Sequence, residues 1–177
     1  MMESKIIKIF GIILIIIFLL YLFGFILQII NKNEFKKYIK DVTGIDIKEC
    51  KEINYDESHG GFMGDGDSYI EWDCSNTEIN LNGDEMLPYP LTEKLNIVLY
   101  ETEKDGTVYS YNYGGDHGIP KIENGYYYFY DDYCETYKDI SNCKSDENLL
   151  GVRAAFNFTF IAFDKDTNRL YYLEVDT

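Results

Sequence analysis

The sequence predicts an α+β protein: an N-terminal single transmembrane helix followed by a mainly antiparallel β-sheet domain with two short helices. Three observations predict it. Residues Ile9 to Ile30 form a nearly unbroken apolar run, with Gln28 as its one strongly polar member. At about 1.5 Å per helical residue such a run crosses a hydrocarbon core of roughly 30 Å. Beyond it, short alternating stretches rich in tyrosine, phenylalanine and isoleucine are separated by glycine- and aspartate-rich turns. Connections between them are short and no strand–helix–strand rhythm is present, which favours antiparallel pairing. The expected organisation is therefore an anchor with a short flank over residues 1–32, a linker helix over 33–44 and an acidic α+β domain over 45–177.

The apolar run is longer than a secretory core, and Gln28 to Lys32 offers no small-residue cleavage pattern, so it reads as an uncleaved signal anchor in the cell membrane. Lys5 and Lys8 precede it, and Lys32, Lys36, Lys37 and Lys40 follow. That count alone leans towards a cytoplasmic domain, but long domains translocate largely regardless of charge. Cysteine usage points outward. Cys50, Cys74, Cys134 and Cys143 are even in number, all lie beyond the run, and lack a C-x-x-C zinc framework. The domain is accordingly expected to be extracytoplasmic and disulfide-bonded.

Cys134 and Cys143 bracket a short polar loop that is easily closed. A turn centred on Phe62 puts Cys50 opposite Cys74, whereas Ile53 and Tyr55 match Trp72 and Ile70 best one residue out of that register. A one-residue bulge near Glu49 to Lys51 reconciles the two.

The elements follow in order. Phe35, Tyr38, Ile39 and Val42 make a helical stripe over Asn33 to Val42, with Gly44 suited to its left-handed stop. Strands are expected at Ile45 to Tyr55 and at Ser68 to Cys74. Asn80 to Pro90 reads as a loop, and Leu91, Leu95, Val98 and Leu99 give a second helical stripe after Thr92. Thr107 to Tyr113 and Gly125 to Tyr133 read as tyrosine-rich strands flanking the segment GGDHGIP. Arg153 to Phe163 alternates Phe156, Phe158, Phe160 and Ala162 with smaller or polar residues. Leu170 to Val175 returns as its hairpin partner after the turn Asp164 to Asn168.

Charge excludes one class of partner. Residues 1–40 hold six lysines against Glu3 and Glu34, a surplus of four, so the −15 of the whole chain leaves −19 on residues 41–177. A nucleic-acid site needs a basic face, and none is available. The 17 tyrosines and 11 phenylalanines argue for a packed core rather than a disordered acidic tail.

The segment Ser58-His59-Gly60-Gly61-Phe62-Met63-Gly64-Asp65-Gly66, with Glu123 to Tyr127 and the ending Asn157-Phe158-Thr159 … Asp164 to Tyr172, resembles a family of small bacterial proteins from clostridia and their relatives. The resemblance covers most of residues 35–177 and implies no particular activity. Similar sequences often read HGGFHGDG, whereas this chain has Met63 in place of the second histidine.

On its own chemistry, the loop offers Asp56, His59, Asp65 and Asp67, and a second glycine-rich loop offers Asp116 and His117. Two such loops could serve a metal-dependent hydrolase using His59 and His117. The competing reading is a wide hairpin turn in which Gly60, Gly61, Gly64 and Gly66 supply backbone freedom, and it is the favoured one. There is no G-x-S-x-G, P-loop or H-E-x-x-H, no catalytic residue is assigned, and no cofactor is expected. The tyrosines Tyr126, Tyr128 and Tyr130 are the candidate contact residues, since tyrosine is enriched at interfaces, while core packing is the first reading of any single one because half of such a strand faces the core. The expectation is thus a non-catalytic binding domain for a basic protein or peptide. The partner could be a toxin, in which case this would be an immunity-type protein.

Overall fold

A computed structural model describes residues 2–60, 65–80, 85–100, 102–104, 106–109, 111–137, 143–151, 153 and 155–177. The glycine-rich tip at Gly61, Phe62, Met63 and Gly64 lies outside the described residues. Six strands form one antiparallel sheet: β1 (Lys51–Glu57), β2 (Gly66–Asp73), β3 (Leu87–Pro88), β6 (Gly125–Tyr130), β7 (Asn157–Asp164) and β8 (Arg169–Asp176). Their order is β1-β2-β8-β7-β6-β3, while β4 (Thr102–Lys104) and β5 (Thr107–Tyr109) pair separately as a hairpin. The helices are α1 (Met2–Thr43), α2 (Glu93–Leu99) and the single turn α3 (Tyr113–Asp116).

The transmembrane helix expected over Ile9 to Ile30 is corrected. Among the described residues no helix is long and apolar enough to cross a membrane. The apolar stretch whose side chains are described, Ile13 to Gly24, is solvent-exposed. The side chains of residues 9, 10, 12 and 25–30 lie outside the described set. Nor is there a separate linker helix: the 33–44 segment is the end of α1 itself. There α1 becomes amphipathic and lays Phe35, Tyr38, Ile39 and Val42 on the sheet. Gly44 stops it at φ 75°, donating its N–H to the Lys40 carbonyl at 2.9 Å.

Strand β1 starts later than the expected Ile45. Residues 45–47 instead lie outside any strand, pack Ile45 and Ile47 into the cluster on the sheet, and lead into a turn at Lys48, whose N–H donates to Asp46. Cys50 is bonded to Cys74 with Cα atoms 4.5 Å apart, and Cys134 to Cys143 at 5.4 Å. The bulge that reconciles the first bridge with the strand register is present, but between Glu52 and Asn54 rather than at 49–51. Lys51 and Glu52 pair in the cysteine register, and Asn54 to Glu57 pair one residue out of it.

The expected strand at Thr107 to Tyr113 is divided: β5 ends at Tyr109, and Tyr113 opens α3. The tyrosine-rich strand stops at Tyr130, and residues 132–137 make a 3-10 turn. The short strand β3 lies within the expected loop and pairs Leu87 and Pro88 with Tyr127 and Tyr126. Proline is tolerated there because β3 is an edge. Helix α2 begins where Thr92 accepts a hydrogen bond from the Leu95 N–H at 3.2 Å.

Both faces of the sheet are covered. On one, Tyr69, Tyr127, Phe129, Phe158, Phe160, Ala162 and Leu173 pack against Leu95, Val98 and Leu99 of α2. On the other, Ile70, Trp72, Tyr128, Ile161, Phe163, Leu170 and Tyr172 pack beneath Ile39, Ile45 and Ile47. The two clusters alternate along β7 and β8, which is why most residues of those strands are buried. Gly125 shows how closely the strands approach: a Cβ there would lie 2.1 Å from the Phe163 carbonyl oxygen.

Candidate functional site

The two histidines lie at the same end of the β1–β2 hairpin but on opposite faces of it. Asp56 pairs with Tyr69, and Glu57 with Ser68. Successive residues of a strand point to opposite faces. His117 joins the Asp56 and Tyr69 side. Its Nε2 is 3.2 Å from Asp67 Oδ2, its Nδ1 is 3.9 Å from Asp56 Oδ2, and its ring stacks on Tyr69 at 5.4 Å. His59 joins the Glu57 and Ser68 side. Its Nδ1 meets Glu57 Oε1 and lies 3.2 Å from Ser68 Oγ, which donates to Glu57 Oε2 at 2.7 Å.

This arrangement is not a nucleophile relay, because Ser68 and Glu57 meet the same ring nitrogen and Ser68 is 3% exposed. Among the described residues no group of three or more His, Cys, Asp or Glu side chains is placed to hold a metal. Asp65 is exposed at the edge of the described hairpin, and Gly60 has room for a side chain. Gly66 has none, since a Cβ would lie 2.5 Å from the His59 nitrogen. The glycine motif thus includes one position that a close backbone crossing requires. Gly61 lies outside the described residues.

Tyr126, Tyr128 and Tyr130 share the face covered by α1. Tyr128 is buried at 4% exposure, so it is a core residue. Tyr126 and Tyr130 are half-buried, and the Lys165 ammonium sits 5.6 Å from the Tyr126 ring centre.

A different feature of that face has the shape of a site. Its apolar cluster gives way to a polar row where Glu57, Ser68, Glu174, Thr159 and Tyr130 stand side by side on β1, β2, β8, β7 and β6. Over this row α1 leaves the sheet, and a cleft of about 470 Å³ opens between them. Glu34, Phe35, Tyr38, Asp132, Thr159, Tyr172 and Glu174 line it. Three of these are carboxylates, three are aromatic and none is basic. Tyr172 stands at the centre of the aromatic part, with edge-on contacts to Phe35 at 5.2 Å and Tyr38 at 6.2 Å.

The hydroxyls anchor the carboxylates. Tyr172 donates to Glu174 at 2.7 Å and Thr159 to Asp132 at 3.2 Å. Burial raises the pKa of Tyr38 above the usual tyrosine range, outweighing its hydrogen bond with Thr159, and burial with the neighbouring Glu174 does the same to Tyr172. Both phenols therefore stay neutral donors, and the charge of the cleft is carried by Glu34, Asp132 and Glu174.

Each wall has a brace. Lys36 reaches from α1 to the carbonyls of Lys48 and Cys50 at 3.0 and 2.9 Å, tying the helix to the Cys50–Cys74 bridge. Opposite, Asp131 beside Asp132 forms a two-pronged pair with Arg153, its oxygens 3.1 and 2.8 Å from the two guanidinium nitrogens. The Asp131 N–H donates to the Cys143 carbonyl at 2.7 Å, within reach of the second bridge. The Arg153 guanidinium also lies 4.6 Å from the centre of the Tyr133 ring.

Comparison of the chain with protein-family models, with curated proteins and with solved structures finds no match.

Proposed function

We propose that this chain is a non-catalytic binding domain for a basic protein or peptide, working outside the cytoplasm. The observation that supports the reading is the braced cleft, where three carboxylates converge on aromatic side chains with no cation among the described residues that line it. The net charge of −15 extends the same preference over the molecule, drawing cationic partners and repelling acidic ones. Two disulfides support the oxidising compartment, since such bridges persist chiefly outside the cytosol. The polarised histidines do not support hydrolysis, because each is engaged on its own face of the hairpin. Calorimetric titration of the chain with an arginine-rich peptide and with a glutamate-rich peptide of equal length tests the reading. Saturable binding of the first alone, weakening about tenfold between low and high salt, is expected. Absence of saturable binding to the cationic peptide would contradict it.

A further inference from the structure

We infer that the cleft between α1 and the sheet receives one lysine or arginine side chain of the basic polypeptide, seated against Phe35 and Tyr38 between Glu174 and Asp132. The inference rests on the binding reading above and locates it. Volume comes first. About 470 Å³ falls within the range of built ligand sites and exceeds one side chain, leaving space for part of the backbone that carries it. Chemistry comes second. A cation over an aromatic ring is attracted to the negative face of the π system, and this attraction grows as water is excluded. Phe35 and Tyr38, both only partly buried, supply the rings, and the buried Tyr172 supports them from beneath.

Anchoring comes third. Glu174 Oε2 accepts from Tyr172 and Asp132 Oδ2 from Thr159, so hydroxyls already fix both carboxylates in place. Their negative charge is oriented before any ligand arrives, which lowers the ordering cost of binding. Glu34 contributes a third carboxylate from the helix side. A polypeptide is favoured over a small cation because the cleft is an open groove at the mouth of the polar row rather than a closed cage. That row continues past Glu174 to Ser68 and Glu57. A chain lying along it would meet acidic groups on both sides of the inserted residue.

The test uses the full chain and two synthetic nonapeptides that alternate arginine with serine or citrulline with serine. Citrulline keeps the shape of arginine and removes its charge. Two variants are compared: Glu34→Gln with Glu174→Gln in the cleft, and Glu103→Gln with Glu123→Gln on exposed positions away from it. Both change net charge equally, and matching circular dichroism and thermal midpoints confirm that each is folded. The cleft pair is expected to lose at least fivefold in affinity for the arginine peptide, the remote pair less than twofold, and the citrulline peptide should bind at least tenfold more weakly than the arginine one. Equal losses in the two pairs would overturn the cleft assignment while leaving the binding reading intact. Failure of the unmodified chain to bind the arginine peptide would instead remove the reading itself. Arginine amide or tetramethylammonium binding as tightly as the peptide would overturn the polypeptide occupant in favour of a small cation.

Discussion

Glu57 ends the polar row, and its environment makes a pH prediction. Burial pushes its carboxyl up, but the hydrogen bonds from Ser68 and His59 outweigh this and hold it below its ordinary value of 4.5. A depressed folded-state pKa contributes stability above the unfolded value and loses it as pH falls through the folded one. Glu57→Gln should therefore flatten the decline in urea midpoint below about pH 4.5, with little change in slope near neutrality. An unchanged acid slope would show that the Ser68–Glu57–His59 cluster carries no differential stability. Arg153 and Asp131 test the opposite wall, their side chains being 5% and 3% exposed. Arg153→Ala should cost about 3 to 5 kcal/mol, because it leaves a buried carboxylate without its partner. Replacing both residues with apolar ones of similar volume should restore much of that loss, read from the same urea curves. Some of this was legible in the sequence. Glu174 falls on the inward phase of β8 after Leu170 and Tyr172, and Thr159 on that of β7 before Ile161 and Phe163, so a polar interruption of the covered face could be read from alternation. The burial of Tyr128 was not legible, because alternation says which residues share a face but not whether that face is covered.

At the scale of elements, the two disulfides brace the two walls of the cleft, and their removal should be felt in different degrees. Cys50–Cys74 closes 24 residues and Cys134–Cys143 closes 9. In the chain-entropy picture these contribute about 3.5 and 2.5 kcal/mol respectively. Paired substitution to alanine at each site, followed by urea denaturation under oxidising conditions, should show the larger loss for the first. The reverse order would mean that strain or residual structure outweighs loop length. Both pairings could be inferred from spacing, and so could the bulge that one of them demands. Its position could not: the bridge fixes the register only at the open end of the hairpin, leaving Ile53 free to be the extra residue. The antiparallel sheet and α2 were likewise readable from period and capping. The docking of α1 was only partly so. Its stripe of Phe35, Tyr38, Ile39 and Val42 marks a buried face, but periodicity does not say which strand that face meets. For the same reason Glu34, Phe35 and Asp132 could not be joined into one site from the sequence, since they come from a helix and a turn about a hundred residues apart.

For the whole molecule, the decisive property is an acidic surface with one braced aromatic recess in it. General negative charge would recruit cations diffusely, with weak and scattered contacts that salt screens away. A recess with anchored carboxylates and buried rings should instead localise them, and localisation is a stronger claim than attraction. Amide chemical-shift mapping of the ¹⁵N-labelled chain during titration with the arginine–serine peptide tests it most directly. Saturable shifts concentrated at Glu34 to Tyr38, Asp132, Thr159 and Tyr172 to Glu174, persisting at physiological salt, are expected. Small linear shifts spread over exposed acidic residues, with none concentrated at these positions, would contradict it.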